Sequence, residues 1–234
     1  MDLSNIVIGF IERIKINRIQ AGQLGHRTKV KQPPFSFLSL SLVLERGREV
    51  AMKFMAGSTS HLLYSPNKPT VPEHVREGER LGYQANILER VNKPQNQPAQ
   101  KKRGGTGSGY LTAGYSSASD TQMTRPTKMQ EQGVDEILQL KMAESLLDCD
   151  EPSTMVLASG DAAEAEYSGG FLKIVERALT RGWKVEVVAW RNGLSMEYRS
   201  QDLLRRWGNN LTIIELDDFA EDMLALYTHR YEQL

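Results

Sequence analysis

The stretch that decides the fold reads Thr154-Met155-Val156-Leu157-Ala158-Ser159-Gly160-Asp161. Residues 154–159 are apolar or small, and such a short run predicts a buried strand. Gly160-Asp161 is common turn chemistry and ends the strand. A buried strand that ends in a glycine and an acid indicates an α/β sheet whose strand ends carry polar groups.

Helix and strand patterns alternate on both sides of this stretch. The sequence predicts helices at 134–148, 169–181 and 197–207, and strands at 184–190 and 211–216. Alternation of this kind predicts a mainly parallel sheet with helices on both faces.

The first half of the chain gives weaker patterns. Residues 6–19 have near-helical apolar spacing, although the run Ile6-Val7-Ile8 also suits a strand. The other expected elements are helices at 36–45 and 73–82 and strands at 49–56 and 83–91.

Residues 92–130 differ from the rest in composition. They contain no Ile, Val, Phe or Trp and only one Leu, and are rich in Gly, Ser, Thr, Gln, Pro and Lys. Such a segment cannot bury enough apolar area to offset its ordering entropy, so we expect a disordered insertion. The expected organisation is therefore one domain over 1–223, interrupted by 92–130, with a tail over 224–234.

Composition narrows the class of protein. No apolar run approaches the ~18 residues of a membrane helix, and no signal peptide is recognisable, so we expect no membrane partner. Cys149 is the only cysteine, which excludes an intrachain disulfide and favours an intracellular protein, cytoplasmic or nuclear. Residues 1–91 and 92–130 each carry a net charge of +5, and residues 131–234 carry −10. This asymmetry suits a polyanion held beside a carboxylate-lined site, or is simply an uneven surface.

Three acidic residues are candidates for that site. Asp161 follows a strand end, where open parallel sheets bind ligands, although it also suits an ordinary turn. Asp135 lies in the first turn of a predicted helix, where an acid also complements the helix dipole. Asp2 lies at the N-terminus, where most residues fray. No Ser/His/Asp set or phosphate-binding glycine loop accompanies them.

Taken together, several motifs resemble the NYN domain family of the PIN-like ribonuclease superfamily. They occur in the family's order over the chain: Asp2-Leu3-Ser4-Asn5, Gly133-Val134-Asp135, Ser159-Gly160-Asp161, Arg181-Gly182-Trp183-Lys184-Val185 and Leu216-Asp217-Asp218-Phe219. The resemblance covers about 2–10, 48–91 and 131–223 and skips 11–47 and 92–130.

The resemblance implies a PIN-like sheet with strand order 3-2-1-4-5 and a metal-dependent endoribonuclease. It implies that Asp2, Asp135 and Asp161 converge on one Mg²⁺ or Mn²⁺, since hard cations prefer carboxylate oxygens. By the same resemblance Asn5 orients an acid or the RNA substrate, and Ser4 hydrogen-bonds a carboxylate or a phosphate.

The sequence departs from the family pattern in two places. The second acid, expected two residues after Asp161, is Ala163, and Glu164 comes one residue later as a substitute metal ligand. Only Met1 precedes Asp2, where the family has an apolar first strand in the middle of the sheet. We therefore expect that strand to be missing, through a start codon assigned too late or a truncated product. Its two neighbours would then hold unpaired backbone groups.

Three functions remain open on the sequence alone. The first is the metal-dependent ribonuclease. The second is a catalytically weak or inactive RNA-binding or scaffolding module, which Ala163 and the missing strand favour. The third is an adaptor whose basic insertion, 92–130, binds a protein partner. Homo-oligomerisation also remains open.

Overall fold

The computed structural model describes residues 1–28, 32–59, 64–65, 68–69, 71–94, 127–163 and 169–225. Within these residues the fold is α/β, with six α-helices and two small parallel sheets. No helix in this part of the chain combines the length and apolarity needed to cross a membrane.

The second half of the chain follows the predicted alternation. Its elements in order are α4 (Val134–Asp148), β7 (Thr154–Ala158), α5 (Gly170–Thr180), β8 (Lys184–Ala189), α6 (Gln201–Trp207) and β9 (Leu211–Glu215). The strands β7, β8 and β9 pair in that order, and both pairings are parallel. The predicted helix over 197–207 is instead a 3₁₀ turn, Met196–Arg199, followed by α6. Ser200 separates the two, because its hydroxyl accepts a hydrogen bond from the Leu203 N–H and caps α6.

The first half contributes a smaller parallel sheet. Its elements in order are α1 (Leu3–Gln20), α2 (Phe37–Glu45), β1 (Phe54–Thr59), β2 (Tyr64–Ser65), β3 (Lys68–Pro69), α3 (Glu73–Arg80) and β4 (Gln84–Glu89). The strands β1 and β4 pair in parallel, and β2 and β3 form a short antiparallel pair. The helical prediction for residues 6–19 is confirmed, and the strand alternative for Ile6-Val7-Ile8 is wrong.

The strand predicted at 49–56 is displaced toward the C-terminus. Val50 and Met52 are 37% and 46% exposed, and β1 runs from Phe54 through Gly57 to Thr59. Gly57 stays in the strand because α1 begins directly against it: a Cβ there would lie 3.2 Å from the Leu3 Cβ. Glycine inside a strand often marks such a close approach of another element. The predicted strand over 49–56 instead stops directly before Gly57.

Two hydrophobic cores flank the larger sheet, which confirms the prediction of helices on both faces. In β7, Met155 and Leu157 face the α4–α5 core, whereas Val156 and Ala158 face the α1–α2 core. The α4–α5 core includes Val134, Leu138, Met155, Leu157, Phe171, Ile174, Val185 and Val187. The α1–α2 core includes Leu3, Ile6, Phe10, Phe37, Leu40, Met55, Ala158 and Val188. Two-sided burial explains why β7 is apolar with little alternation and why β8 is continuously apolar from Val187 to Ala189.

The dipeptide Met1-Asp2 connects the two parallel sheets. The Met1 amino group donates to the Phe54 carbonyl at 2.8 Å, and the Ala56 N–H donates to the Met1 carbonyl at 3.0 Å. On the other side, the Asp2 N–H donates to the Ala158 carbonyl at 3.0 Å. Among the described residues β1 and β7 are not hydrogen-bonded to each other. Met1-Asp2 therefore lies between β1 and β7, where it contacts the amino-terminal half of β1 and the carboxyl end of β7.

The ends of the expected insertion are paired. Strands β5 (Val91–Pro94) and β6 (Thr127–Gln130) form an antiparallel ribbon, so 92–94 and 127–130 differ from the expected disorder. The expectation for 95–126 lies outside the described residues. At the other end of the chain, Leu224 forms a bridge with Phe35, so the ordered unit extends past 223.

Gly9→Ala is expected to lower the free energy of unfolding by ~2 kcal/mol. A Cβ at this position would lie 2.1 Å from Cδ1 of Trp190, whose ring is buried and held by a 2.8 Å hydrogen bond from Nε1 to the Ile6 carbonyl. Overpacking of this kind costs more than the ~1 kcal/mol that alanine contributes through helix propensity. Urea denaturation measures the change.

Gly193→Ala is the matched control for this substitution. No atom lies within 4 Å of a Cβ at Gly193, so we expect a change within ~0.5 kcal/mol. Equal stability of the Gly9→Ala variant and the wild type would contradict the close packing of α1 on Trp190.

Candidate functional site

Asp2 caps the first helix at the edge where the two sheets meet. Its Oδ1 accepts a hydrogen bond from the Asn5 N–H at 3.0 Å, and its Oδ2 accepts one from the Ser159 hydroxyl at 3.2 Å. The residue is only 6% exposed, and this burial raises the pKa of its carboxyl from 3.8 to about 6. Asp2 is therefore a buried, fixed carboxyl group rather than a frayed terminal residue.

The turn after β7 places Asp161 beside this cap. The Asp161 N–H donates to the Ser159 hydroxyl at 3.3 Å, so Ser159 contacts both acidic residues. Asn5 contacts the same turn, because its Oδ1 accepts from the Gly160 N–H at 3.4 Å. The Asp161 Oδ1 accepts from the Ala163 N–H at 2.8 Å, which is the turn role that the sequence also allowed.

Close packing fixes the path of this turn. A Cβ on Gly160 would lie 2.2 Å from the carbonyl oxygen of Gly193, and the Ser195 N–H donates to the Gly160 carbonyl at 2.9 Å. The buried Tyr198 hydroxyl donates to the Asp161 carbonyl at 3.0 Å. The position of Asp161 is therefore set by the segment after β8, which is distant in sequence.

Asp135 lies in the first turn of α4, as predicted, and faces other carboxylates. The helix begins after Gly133, whose φ of +84° suits glycine. Burial raises the pKa of the Asp135 carboxyl from 3.8 to about 7, and repulsion from Asp2, Asp161 and Glu131 acts in the same direction. The fold thus brings Asp135 into the field of both other predicted site residues.

Glu131 is a site residue that the sequence analysis missed. Its Oε2 accepts hydrogen bonds from the Ser4 hydroxyl at 2.7 Å and from the Ser58 hydroxyl. Arg90 Nε donates to the Ser58 hydroxyl at 3.0 Å. The prediction that Ser4 bonds a carboxylate is confirmed. The available signal was the position of Glu131, directly after the expected insertion and close to Asp135.

The donor atoms do not form a closed metal site. Within the described residues, no three histidine, cysteine or acidic side chains are arranged so that they could hold one ion. Glu164, the substitute ligand expected from the sequence, lies outside these residues, as does most of the basic insertion expected to bind a partner. Asp2, Asn5 and Asp161 are therefore connected by hydrogen bonds in the turn after β7. Asp135 is linked to them only by the repulsion between its carboxylate and those of Asp2 and Asp161.

The chain matches no family model, no curated protein and no solved structure. The resemblance to the NYN family accordingly rests on the motifs quoted above and remains a proposal. The geometry of the carboxylates is the independent observation on which a function has to be argued.

Asp135→Asn is expected to stabilise the protein at about pH 8 but not at about pH 4.5. The pKa of this carboxyl rises from its ordinary value of 3.8 to about 7 on folding, so the folded state binds its proton more tightly. The contribution of this group to stability therefore falls as the pH rises from about 4 to 7, and an amide avoids the loss. Urea unfolding of variant and wild type at both pH values measures the difference.

Glu136→Gln is the matched control, because it removes the adjacent carboxylate from the same helical turn. We expect a smaller dependence of its stability change on pH. An equal gain for Asp135→Asn at both pH values would mean that its carboxyl is not buried against other acids.

Proposed function

We propose that this protein is a metal-dependent endoribonuclease of the PIN-like type, acting at the carboxyl ends of its parallel strands. The observation that carries the proposal is the environment of Asp135, a half-buried carboxyl group repelled by Asp2, Asp161 and Glu131. Carboxyl groups whose pKa is strongly raised by burial and by neighbouring carboxylates cluster at functional sites. Three of the four acids come from the motifs that resemble the family.

The chemistry of the donor set fits a hard divalent cation. All four groups offer oxygen atoms, which Mg²⁺ and Mn²⁺ prefer, and none offers sulfur or imidazole nitrogen. Mg²⁺ also retains several waters and commonly takes only one or two protein carboxylates. Because no three acidic side chains of the described residues are arranged to share one ion, an ion here would be held by at most two of Asp2, Asp135 and Asp161 together with water, and Glu131 would remain bound by its serines. Such an ion would supply charge stabilisation and an activated water for phosphodiester hydrolysis.

The protein's own residues orient the acids. Ser159 and the Asn5 N–H hold the two oxygens of Asp2, and Ser4 and Ser58 hold Glu131. In this proposal a bound cation would offset the repulsion that raises the pKa of Asp135 in the protein alone, so this carboxyl would be ionised beside the ion.

A small cavity lies beside Asn5 and is lined by acids as well as a cation. The cavity, of about 200 Å³, is lined by Asn5, Glu12, Arg13, Trp190 and Asn192, among others. Arg13 is held 3.3 Å from Asp217, and its Nε is buried without a partner among the described residues. Arg13 in this lining, and Arg90, which lies beside Glu131 through Ser58, are donors that a phosphate could use.

Addition of Mn²⁺ or Mg²⁺ is expected to start cleavage of a labelled single-stranded RNA, and a chelator should stop it. The physical reason is that a bound cation would offset the negative charge of the acids, so that a phosphate can approach, and would activate a water for the attack. Denaturing gels resolve the products and their ends. Cleavage that continues at full rate in excess chelator would contradict the proposal.

RNA binding without cleavage is the second candidate. The absence of a three-residue ligand set among the described residues, together with Ala163 at the second acidic position, favours it. Binding that persists in chelator, with intact RNA at every metal concentration, would select this function over the first.

A further inference from the structure

A second, basic cleft lies between α5 and α6. Its volume is about 360 Å³, and its lining contains four cations and one acid: Lys173, Arg177, Arg181, Arg206 and Glu176, with Trp207 beside them. This is a local excess of positive charge in a part of the chain, 131–234, whose net charge is −10. The cleft is distinct from the carboxylate site in position, charge and lining residues.

The cleft lies at the opposite edge of the sheet from the acids. Arg177 lies in the last turn of α5 and Arg181 follows the helix, and the chain then enters β8 at Lys184. The acids follow the carboxyl ends of the strands, whereas the cleft lies by their amino ends. Strands of five or six residues are ~17–20 Å long, so a ligand that reaches both sites has to be a polymer.

Ordinary helix capping does not account for all of this charge. Cations in the last turns of α5 and α6 offset the partial negative charge of the helix ends, and Arg177 and Arg206 suit that role. Lys173 lies a turn earlier in α5, 3.9 Å from Glu176. Arg181 is held by a 2.9 Å hydrogen bond from Nη1 to the Leu146 carbonyl, so its remaining donors stay available beside the cleft.

Trp207 adds an aromatic surface and an unused donor. The Arg206 guanidinium lies 5.0 Å from the centre of the indole ring. The indole Nε1–H is buried and finds no acceptor in the part of the chain that the structure describes. Arginine guanidinium groups beside an aromatic ring can bind a phosphate while the base stacks on the ring. Proteins that bind single-stranded nucleic acids use this combination.

We propose that the α5–α6 cleft binds a nucleotide of a single-stranded RNA, with its phosphate on the arginines and its base against Trp207. The choice of RNA as the polymer rests on the proposed function, whereas the affinity for a phosphate ester does not. An RNA held here and cleaved at the acids would run across the edge of the sheet, so the cleft would favour longer substrates.

The test measures binding, not cleavage, so that it is separable from the nuclease proposal. Fluorescence anisotropy of a labelled oligouridine is followed in chelator at about 50 and 200 mM salt. The double variant Arg177→Gln, Arg206→Gln is expected to bind about tenfold more weakly, with a smaller salt dependence. Both side chains are exposed, so neither change should affect folding, and Lys173→Gln offers a milder second variant.

Arg205→Gln is the matched control, because Arg205 is the sequence neighbour of Arg206 in α6 but does not line the cleft. Its affinity should stay within about twofold of wild type. Adenosine monophosphate provides a second probe: it should quench tryptophan fluorescence in the wild type and not in Trp207→Phe, because Trp183 and Trp190 are buried.

Three outcomes would overturn the proposal. The double variant could bind RNA as tightly as wild type does. Mononucleotide or inorganic phosphate could bind without any effect of the variants on RNA affinity, which would make the cleft a small-anion site. A labelled acidic peptide could bind there in place of RNA, which would make it a protein contact. The proposal is supported if the double variant loses RNA affinity while Arg205→Gln keeps it, whether or not cleavage is ever detected.

Discussion

Asp161→Asn is expected to reduce metal-dependent RNA cleavage at least ~100-fold while leaving the fold intact. The substitution keeps an oxygen at Oδ1, which accepts the 2.8 Å hydrogen bond from the Ala163 N–H, so the turn after β7 should survive. It removes the negative charge that, in the proposed function, faces the cation. Initial cleavage rates at saturating metal measure the loss, and thermal unfolding verifies that the variant is folded.

Asp218→Asn is the control for this substitution. Asp218 is an exposed acid in the Leu216–Phe219 turn, so the same chemical change should alter the cleavage rate less than about twofold. If Asp161→Asn cleaves at the wild-type rate, Asp161 is a turn residue only and the acidic site has been wrongly assigned.

An added N-terminal strand is expected to stabilise the protein by ~2–4 kcal/mol, which corresponds to a rise in Tm on the order of 10 °C. The extension is five apolar β-branched residues placed before Met1. Backbone N–H and C=O groups along a strand point alternately to its two sides. Those of Thr154 and Val156 therefore point to the same side as the Ala158 carbonyl, which accepts a hydrogen bond from the Asp2 N–H. On the opposite side, Phe54 is the first residue of β1 and its carbonyl already accepts from the Met1 amino group, so the extension gains its hydrogen bonds from β7.

The extension also converts the charged amino group of Met1 into a neutral amide, and this change is expected to stabilise the protein as well. Burial lowers the pKa of this amino group from 8.0 to about 6, so the charged form is disfavoured where it lies. Because this folded-state pKa lies below the unfolded value, the loss of stability is present below about pH 6 and is relieved as the pH rises toward 8. An amide at this position removes the loss at all pH values, so the gain from the extension should be larger at acidic pH.

A Gly/Ser extension of equal length is the control for the added strand. It also converts the amine to an amide, but it has low strand propensity and no side chains to bury between the two cores. Thermal unfolding compares the two proteins. Equal melting temperatures would show that the edge of β7 does not accept the added strand.

Local patterns predicted the second half of the fold well. Strand β7 and the second half of β8 are short apolar runs, and this signal survives because both of their faces are buried. The pattern failed at β1, where Gly57 lies inside the strand and the apolar residues Val50 and Met52 lie outside it. The cause is a tertiary contact, the approach of α1 to Gly57, which no local window contains.

The candidate site likewise contains residues that local patterns predicted and one that they missed. Asp161 was a candidate because of its place after a strand, and Asp135 because of its place in a helical turn. Glu131 was missed because its significance depends on Ser4 and Ser58, which are 127 and 73 residues away in sequence. Burial, which most raises the pKa values of Asp2 and Asp135, is likewise a property of the folded chain.

By itself, the sequence determined the alternating elements of residues 134–215 and their parallel pairing, because hydrophobic periodicity and turn residues act over short distances. Only the tertiary structure decided that Met1-Asp2 lies between β1 and β7 and that Asp2 and Asp161, which are distant in sequence, repel the carboxylate of Asp135. It also decided that α5 and α6 bring four cations together around Trp207. Contacts of this kind depend on how the helices pack on the sheet, and no spacing within a single segment encodes them.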